Sequence, residues 1–257
     1  MKRPRFRSQL LIVVFLWLGL SEVAEAGVKI YFMRHAEAGH NVVKEWKGKP
    51  KDQWPAYVGN PDMFIPKGEG QAVNAIAKLS QYHFDFIAVS PFWRTRHTVL
   101  PYLKETGVKA ELWPELAEFD RFSTNLTSNL TLPVPSADLF TGGTAVVLPD
   151  QERSSFMLRQ DGRKHFKPGK EPLQAAADLN AVAEKTVELI RARFGRSDKA
   201  ILLVGHGNSG RLLLHVLLKD SDAWNTEPTN TGIWMVEEQE DGSFKLRLFN
   251  DMPVNAQ

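Results

Sequence analysis

Three runs of the chain are apolar with hardly an interruption: Val28–Met33, Phe84–Val89 and Lys199–Val204. Continuous apolarity over so short a stretch marks a strand buried on both faces, as in a parallel sheet. Each run is followed by a loop and then by residues at helical spacing. Gly70 to Tyr82 carries Ala72, Val73, Ile76 and Leu79 on one stripe. Phe92–Glu105 follows the second run, and Asn208–Lys219, with Leu212, Leu213, Val216 and Leu217, follows the third. Leu173–Phe194 is the longest helical stretch, with Leu179, Val182, Val187 and Ile190 apolar, and it stops at Gly195. Near the end, Thr231–Glu237 and Ser243–Phe249 flank Asp241-Gly242, which predicts a hairpin. The alternation predicts an α/β fold: a doubly wound, mostly parallel central sheet flanked by helices.

Two stretches interrupt this pattern. Lys44–Pro66 is rich in Trp, Pro and Gly, and Ser123–Pro172 is a long irregular insertion ahead of the last long helix, with little periodicity. Irregular segments of that length in a compact domain tend to be lids or binding loops. The insertion 123–172 is therefore expected to act as a substrate loop or lid. It carries Asn125-Leu126-Thr127 and Asn129-Leu130-Thr131, which fit the glycosylation sequon and matter only in a eukaryotic secretory route.

The first residues change the reading of compartment. Lys2, Arg3, Arg5 and Arg7 precede an apolar run from Leu10 to Leu20, and Ala24-Glu25-Ala26 follows. That order is the basic, apolar and small-x-small plan of a secretory signal peptide. The apolar run is about half the roughly 20 residues a membrane span needs. Residues 1–26 are expected to be a leader and 27–257 the working domain, periplasmic or secreted, with no stable membrane insertion after cleavage; a retained anchor is the alternative. The whole chain has 32 basic and 30 acidic residues, and removal of the leader leaves 28 of each. A balanced domain gives no reason to expect a nucleic-acid partner. Cysteine is absent, so thiol chemistry and disulfides are excluded.

The ends of the three strands carry the candidate chemistry. The first delivers Arg34-His35-Ala36-Glu37. The second delivers Ser90-Pro91-Phe92-Trp93-Arg94-Thr95-Arg96-His97-Thr98, and the third Gly205-His206-Gly207-Asn208-Ser209. Parallel strands put their carboxyl ends on one edge, where ligands of such sheets bind. Arg34, His35, Arg94 and His206 can therefore converge. Two guanidinium forks and two imidazoles around one point suit a phosphoryl dianion.

Arg34-His35-Ala36-Glu37 with Asn41, Gly68 with Gln71-Ala72, Ser90-Pro91 with Arg94 and Thr98, Leu116-Ala117-Glu118, and His206-Gly207-Asn208-Ser209 occur in that order. The series resembles the histidine phosphatase superfamily, the group that includes cofactor-dependent phosphoglycerate mutases and many phosphatases. The resemblance spans nearly all of 27–257 apart from the insertion. It implies that His35 attacks phosphorus and becomes a phosphohistidine, that Arg34, Arg94 and His206 hold the equatorial oxygens, and that Glu118 is the acid and then the base. Asn41 and Ser90 would be secondary phosphate contacts. Arg34 and Arg94 should lower the pKa of His35 and keep it a neutral nucleophile.

The chain departs from the mutases at Phe119-Asp120-Arg121-Phe122, where they have Arg-His-Tyr-Gly after the acid. The implied activity is a metal-independent phosphomonoesterase acting on a small phosphorylated substrate, without cofactor. A phosphoglycerate-mutase-like phosphoryl transferase and a non-catalytic phosphoryl-binding module are the alternatives. No His-x-x-x-His or His-Glu-x-x-His pattern points to a metal, and zinc on His35 and His206 would set arginines against a cation. Glu115 competes with Glu118 for the acid role, at less favourable spacing. His97 is expected to pack or cap, and His40, His83, His165 and His215 have no partner pattern. Arg121, Arg153, Arg159, Arg163 and Lys164 are read as a solvated face or as closures over an anion, and Trp46, Trp54 and Trp93 as packing or the rim of a mouth.

Overall fold

The computed structural model describes residues 27–118, 148–159, 176–219 and 226–254. The leader, both sequons, Phe119–Phe122 and most of the insertion lie outside the described residues. Eight strands form one sheet in the order β4-β3-β2-β5-β1-β6-β7-β8. They are β1 (Lys29–Arg34), β2 (Phe86–Val89), β3 (Ala110–Leu112), β4 (Phe156–Leu158), β5 (Ala200–Gly205), β6 (Ile233–Glu238), β7 (Phe244–Phe249) and β8 (Met252–Pro253). From β4 to β1 every neighbouring pair is parallel, and β6, β7 and β8 continue antiparallel. The helices are α1 (Val43–Trp46), α2 (Pro66–Leu79), α3 (Trp93–Thr106), α4 (Ala176–Phe194) and α5 (Gly207–Leu218).

Period-two alternation along β1 divides the core. Tyr31 and Met33 face the cluster built with Ala75 and Leu79 of α2 and Val99 and Leu103 of α3. Ile30 and Phe32 face the opposite cluster, with Val187 and Ile190 of α4 and Leu213, Leu214 and Leu217 of α5. A strand covered on both faces must be apolar at every position, hence the unbroken runs in the sequence. The doubly wound, mostly parallel sheet is the architecture that the periodicity predicts.

Three local readings differ. Helix α2 starts at Pro66 rather than Gly70, because proline suits the first helical position, where no N–H partner is needed. Gly68 is inside that helix for lack of room: a Cβ there would lie 1.9 Å from the carbonyl oxygen of Glu37. Strands β3 and β4 escape sequence pattern because each is only three residues long. Strand β4 lies within the stretch read as irregular, so Phe156–Leu158 of the insertion is an edge of the sheet. Ahead of it, a 3-10 turn at Asp150–Glu152 packs the insertion onto α3.

Candidate active site

The carboxyl ends of β1, β2 and β5 lie side by side: Arg34 pairs with Gly205 across β1 and β5, and Val89 with Val204 across β2 and β5. The residues that follow are thereby fixed in one crevice. His35 N donates to Gly205 O at 3.0 Å, and Ser90 N to Val204 O at 2.9 Å. Past Ser90, Arg94 stands in the first turn of α3, and past Gly205, His206 caps the start of α5. Both helices point their positive N-terminal ends the same way.

His35 is fully buried. Its Nδ1 lies 2.7 Å from the carbonyl oxygen of Ala36. A carbonyl only accepts, so Nδ1 carries the proton and Nε2 carries the lone pair. That Nε2 has no hydrogen-bond partner among the described residues. Burial holds the pKa of His35 well below the usual imidazole value, and Arg94, His206 and His40 push the same way; the bond to Ala36 opposes them. Arg34 is not among these causes. Its guanidinium donates to Pro228 O at 2.8 Å and pairs with Glu227 at 3.3 Å, so part of its field is already cancelled.

His206 is also fully buried, its ring 5.2 Å from that of His35 between centroids. Its Nε2 is 2.8 Å from Ser90 Oγ, and Phe92 N donates to the same oxygen at 3.4 Å. A hydroxyl has one donor and two acceptor lone pairs, so Ser90 can donate to Nε2, which puts the proton of His206 on Nδ1, or accept from Nε2–H in the other tautomer. Nδ1 lies 3.2 Å from Glu118 Oε2, but at angles outside a hydrogen bond. Burial, then Arg94, lowers the pKa of His206 well below its usual value. Arg94 is 3% exposed and sits 3.6 Å from Glu118 Oε2. Its Nε has no hydrogen-bond partner among the described residues. Glu118 reaches the site from the 3-10 turn after β3, where Ala117 N bonds Pro114 O at 3.0 Å. Its Oε1 accepts from Asn208 N at 3.3 Å.

The structure thus brings together Arg34, His35, Arg94, Glu118 and His206. Two of the expected phosphate contacts are engaged elsewhere. Ser90 is wholly buried, with its hydroxyl on His206, and Asn41 Oδ1 accepts from Ala38 N at 3.0 Å, shaping the loop behind His35. Glu115 is separated from the site: it is buried against Arg159 at 2.5 Å. Arg159 is therefore no solvated residue, whereas Arg153 is, in an exposed pair with Asp150. His97 stacks on Trp93 at 4.2 Å and lies 3.3 Å from Glu152. Trp93 packs on Phe64, and Trp54 Nε1 donates to Lys49 O.

Sequence reasoning missed three neighbours of the site. His40 returns beside His35, with ring centroids 5.4 Å apart, because the 3-10 turn Gly39–Val42 doubles the loop back. Burial lowers its pKa to about 3, with Arg94 adding to the effect. Asp62 has two buried carboxylate oxygens without hydrogen-bond partners among the described residues, and burial raises its pKa to about 6 against the pull of Arg94, Arg96 and His97. Glu227 pairs with Arg34. Only the closeness of His40 to His35 in sequence could have signalled any of them. Gly207 gives the approach its room, since a Cβ there would meet Glu227 Oε2 at 2.3 Å and Arg34 Cζ at 2.9 Å.

Residues 30–125 match the family model described as histidine phosphatase superfamily, branch 1. Over those residues the chain is similar to that superfamily. No curated protein is significantly similar to it in sequence. Among solved structures, a phosphoserine phosphatase mutant from Entamoeba histolytica in complex with phosphoserine is 20% identical over 87% of this chain and 96% of its own, with a TM-score of 0.53. The alpha-ribazole phosphatase from Shigella flexneri is 18% identical, covering 89% of this chain and 99% of its own at a TM-score of 0.51. A mycobacterial glucosyl-3-phosphoglycerate phosphatase is 16% identical, with 87% and 99% covered and a TM-score of 0.51. At such identities these structures share their fold with the chain.

Proposed function

We propose that the protein is an exported, metal-independent phosphomonoesterase that hydrolyses phosphate esters through a phosphohistidine on His35. The observation that carries this reading is His35 itself: buried, with Nδ1 fixed on Ala36 O and an Nε2 that has no hydrogen-bond partner among the described residues, beside Arg94, His206 and Glu118. The matched superfamily and the phosphatases that share the fold support the enzyme class.

In the first half-reaction, Nε2 of His35 attacks phosphorus and the ester P–O bond breaks. Glu118 in its acid form gives its proton to the leaving alkoxide. Arg34, Arg94 and the Nδ1–H of His206 hold the three equatorial oxygens as charge spreads over them. In the second half-reaction, Glu118 takes a proton from water as that water attacks phosphorus. The P–N bond breaks and inorganic phosphate leaves. Each group ends as it began. The neutral state of His35, enforced mainly by burial, keeps its lone pair available. A small phosphorylated molecule is the substrate class; phosphoserine is what one fold relative holds.

The test uses residues 27–257 and an aryl phosphate in the presence of a chelator. Wild type should turn over, His35→Ala should not, and Glu118→Gln should lose about 100-fold or more. Acid-labile, alkali-stable phosphate on the wild type would identify the intermediate. Turnover surviving in His35→Ala overturns the nucleophile, and no turnover of any phosphomonoester favours the binding module. Export is tested by the mass of the mature protein, expected to start at Gly27.

A further inference from the structure

We propose that the same pocket is a transition-metal site: His35 Nε2, His206 Nδ1 and a Glu118 oxygen bind zinc or a similar dication, which inhibits the enzyme. One ligand atom from each of these residues lies within 4.8 Å of the other two. The His206 Nδ1 to Glu118 Oε2 separation, 3.2 Å, already matches the edge of a zinc tetrahedron, about 3.3 Å for bonds near 2.0 Å. Among the described residues neither ring nitrogen has a hydrogen-bond partner, so metal binding breaks no bond to them. Three protein ligands leave the fourth position to solvent or to a phosphate oxygen.

The outer contacts are those of metal-bound histidines. A ligating imidazole usually donates its other N–H to a carbonyl, a carboxylate or a similar acceptor, which fixes ring and tautomer. His35 does this through Nδ1 to Ala36 O at 2.7 Å. His206 has Ser90 Oγ at 2.8 Å from Nε2. A hydroxyl can donate or accept. With phosphate bound, Ser90 donates and the proton sits on Nδ1; with metal bound, Ser90 accepts from Nε2–H and Nδ1 is free to coordinate.

The arginines do not forbid a cation. Arg34 is paired with Glu227 at 3.3 Å and Arg94 with Glu118 at 3.6 Å, so these four charges sum to zero around neutral imidazoles. The absence of cysteine removes any thiolate that would compete for a soft dication. Metal and substrate then exclude each other, because one lone pair on His35 cannot bind zinc and attack phosphorus together. Occupancy stands on the geometry alone; its effect on turnover rests on the phosphohistidine reading.

Cobalt(II) is the spectroscopic probe and zinc(II) the inhibitor, both on chelator-stripped protein. Wild type should bind one cobalt with the intense visible bands of a four-coordinate site. His35→Ala and Glu118→Gln, checked as folded by circular dichroism, should each weaken binding about tenfold or more, and the exposed His83→Gln should leave it unchanged. Zinc should inhibit competitively with aryl phosphate, reversed by chelator. Equal cobalt binding in wild type and His35→Ala, or no site-type spectrum, overturns the metal site even if hydrolysis by His35 stands. Non-competitive zinc inhibition overturns the mutual exclusion.

Discussion

Replacing Glu152 by glutamine should destabilise the fold far more than a change outside the crevice usually does. The carboxylate, 4% exposed, receives Arg96 Nε at 2.6 Å and Nη2 at 3.1 Å, with His97 at 3.3 Å. Arg96 is 1% exposed and also donates to Pro91 O. The amide would leave a buried guanidinium without its counter-charge, at a cost of about 3–5 kcal/mol. Burial pushes the Glu152 pKa up, but the bonds and charges of His97 and Arg96 pull it down from 4.5 to about 2. That difference corresponds to about 3 kcal/mol, in line with the first figure. The contribution is complete above about pH 4.5 and is lost as pH falls through about 2. Urea denaturation at pH 7 measures the loss. The double variant Arg96→Met with Glu152→Leu removes both charges and should be much less destabilised than Glu152→Gln. A single-variant loss below about 1 kcal/mol, or a double variant as unstable as the sum of its singles, refutes the reasoning. The pair ties the insertion to the first turn of α3, two residues from Arg94, so activity should fall along with stability.

Three further outcomes follow from the same geometry. His35, His40 and His206 are all kept neutral by burial. Each takes a proton more readily when unfolded, so stability is full above about pH 6.5 and should fall by up to about 1.4 kcal/mol per group per pH unit below it; a urea midpoint flat from pH 7.5 to 5 would contradict this. Ser90→Ala removes the group that orients His206 and should lower kcat/KM about 10- to 100-fold with a small change in Tm; unchanged kinetics would show that the Ser90 bond does not matter. Gly207→Ala drives a Cβ into Arg34 and Glu227 and should lower kcat/KM about tenfold, whereas wild-type kinetics would show that Arg34 need not stay where it is.

The sequence by itself determined the alternation of strands and helices and the set of residues delivered at strand ends. Both are local: a strand buried on two faces must be apolar throughout, and Arg34, His35, Ser90 and His206 directly follow such runs. Which of those side chains face the crevice depends on contacts made across the fold. Ser90 follows its strand as His35 follows β1, yet it stands behind His206 because β2 and β5 are paired. Glu118 and Glu115 are three residues apart in one motif, and only the 3-10 turn at Pro114–Leu116 sends one to His206 and the other to Arg159. His40, Asp62 and Glu227 come from loops whose paths depend on contacts distant in sequence, such as Gly39 N to Met63 O and Arg34 Nη1 to Pro228 O. The residues of the candidate site are therefore legible locally, but their geometry and pKa values are not: the burial that keeps His35 neutral comes from segments packed around it.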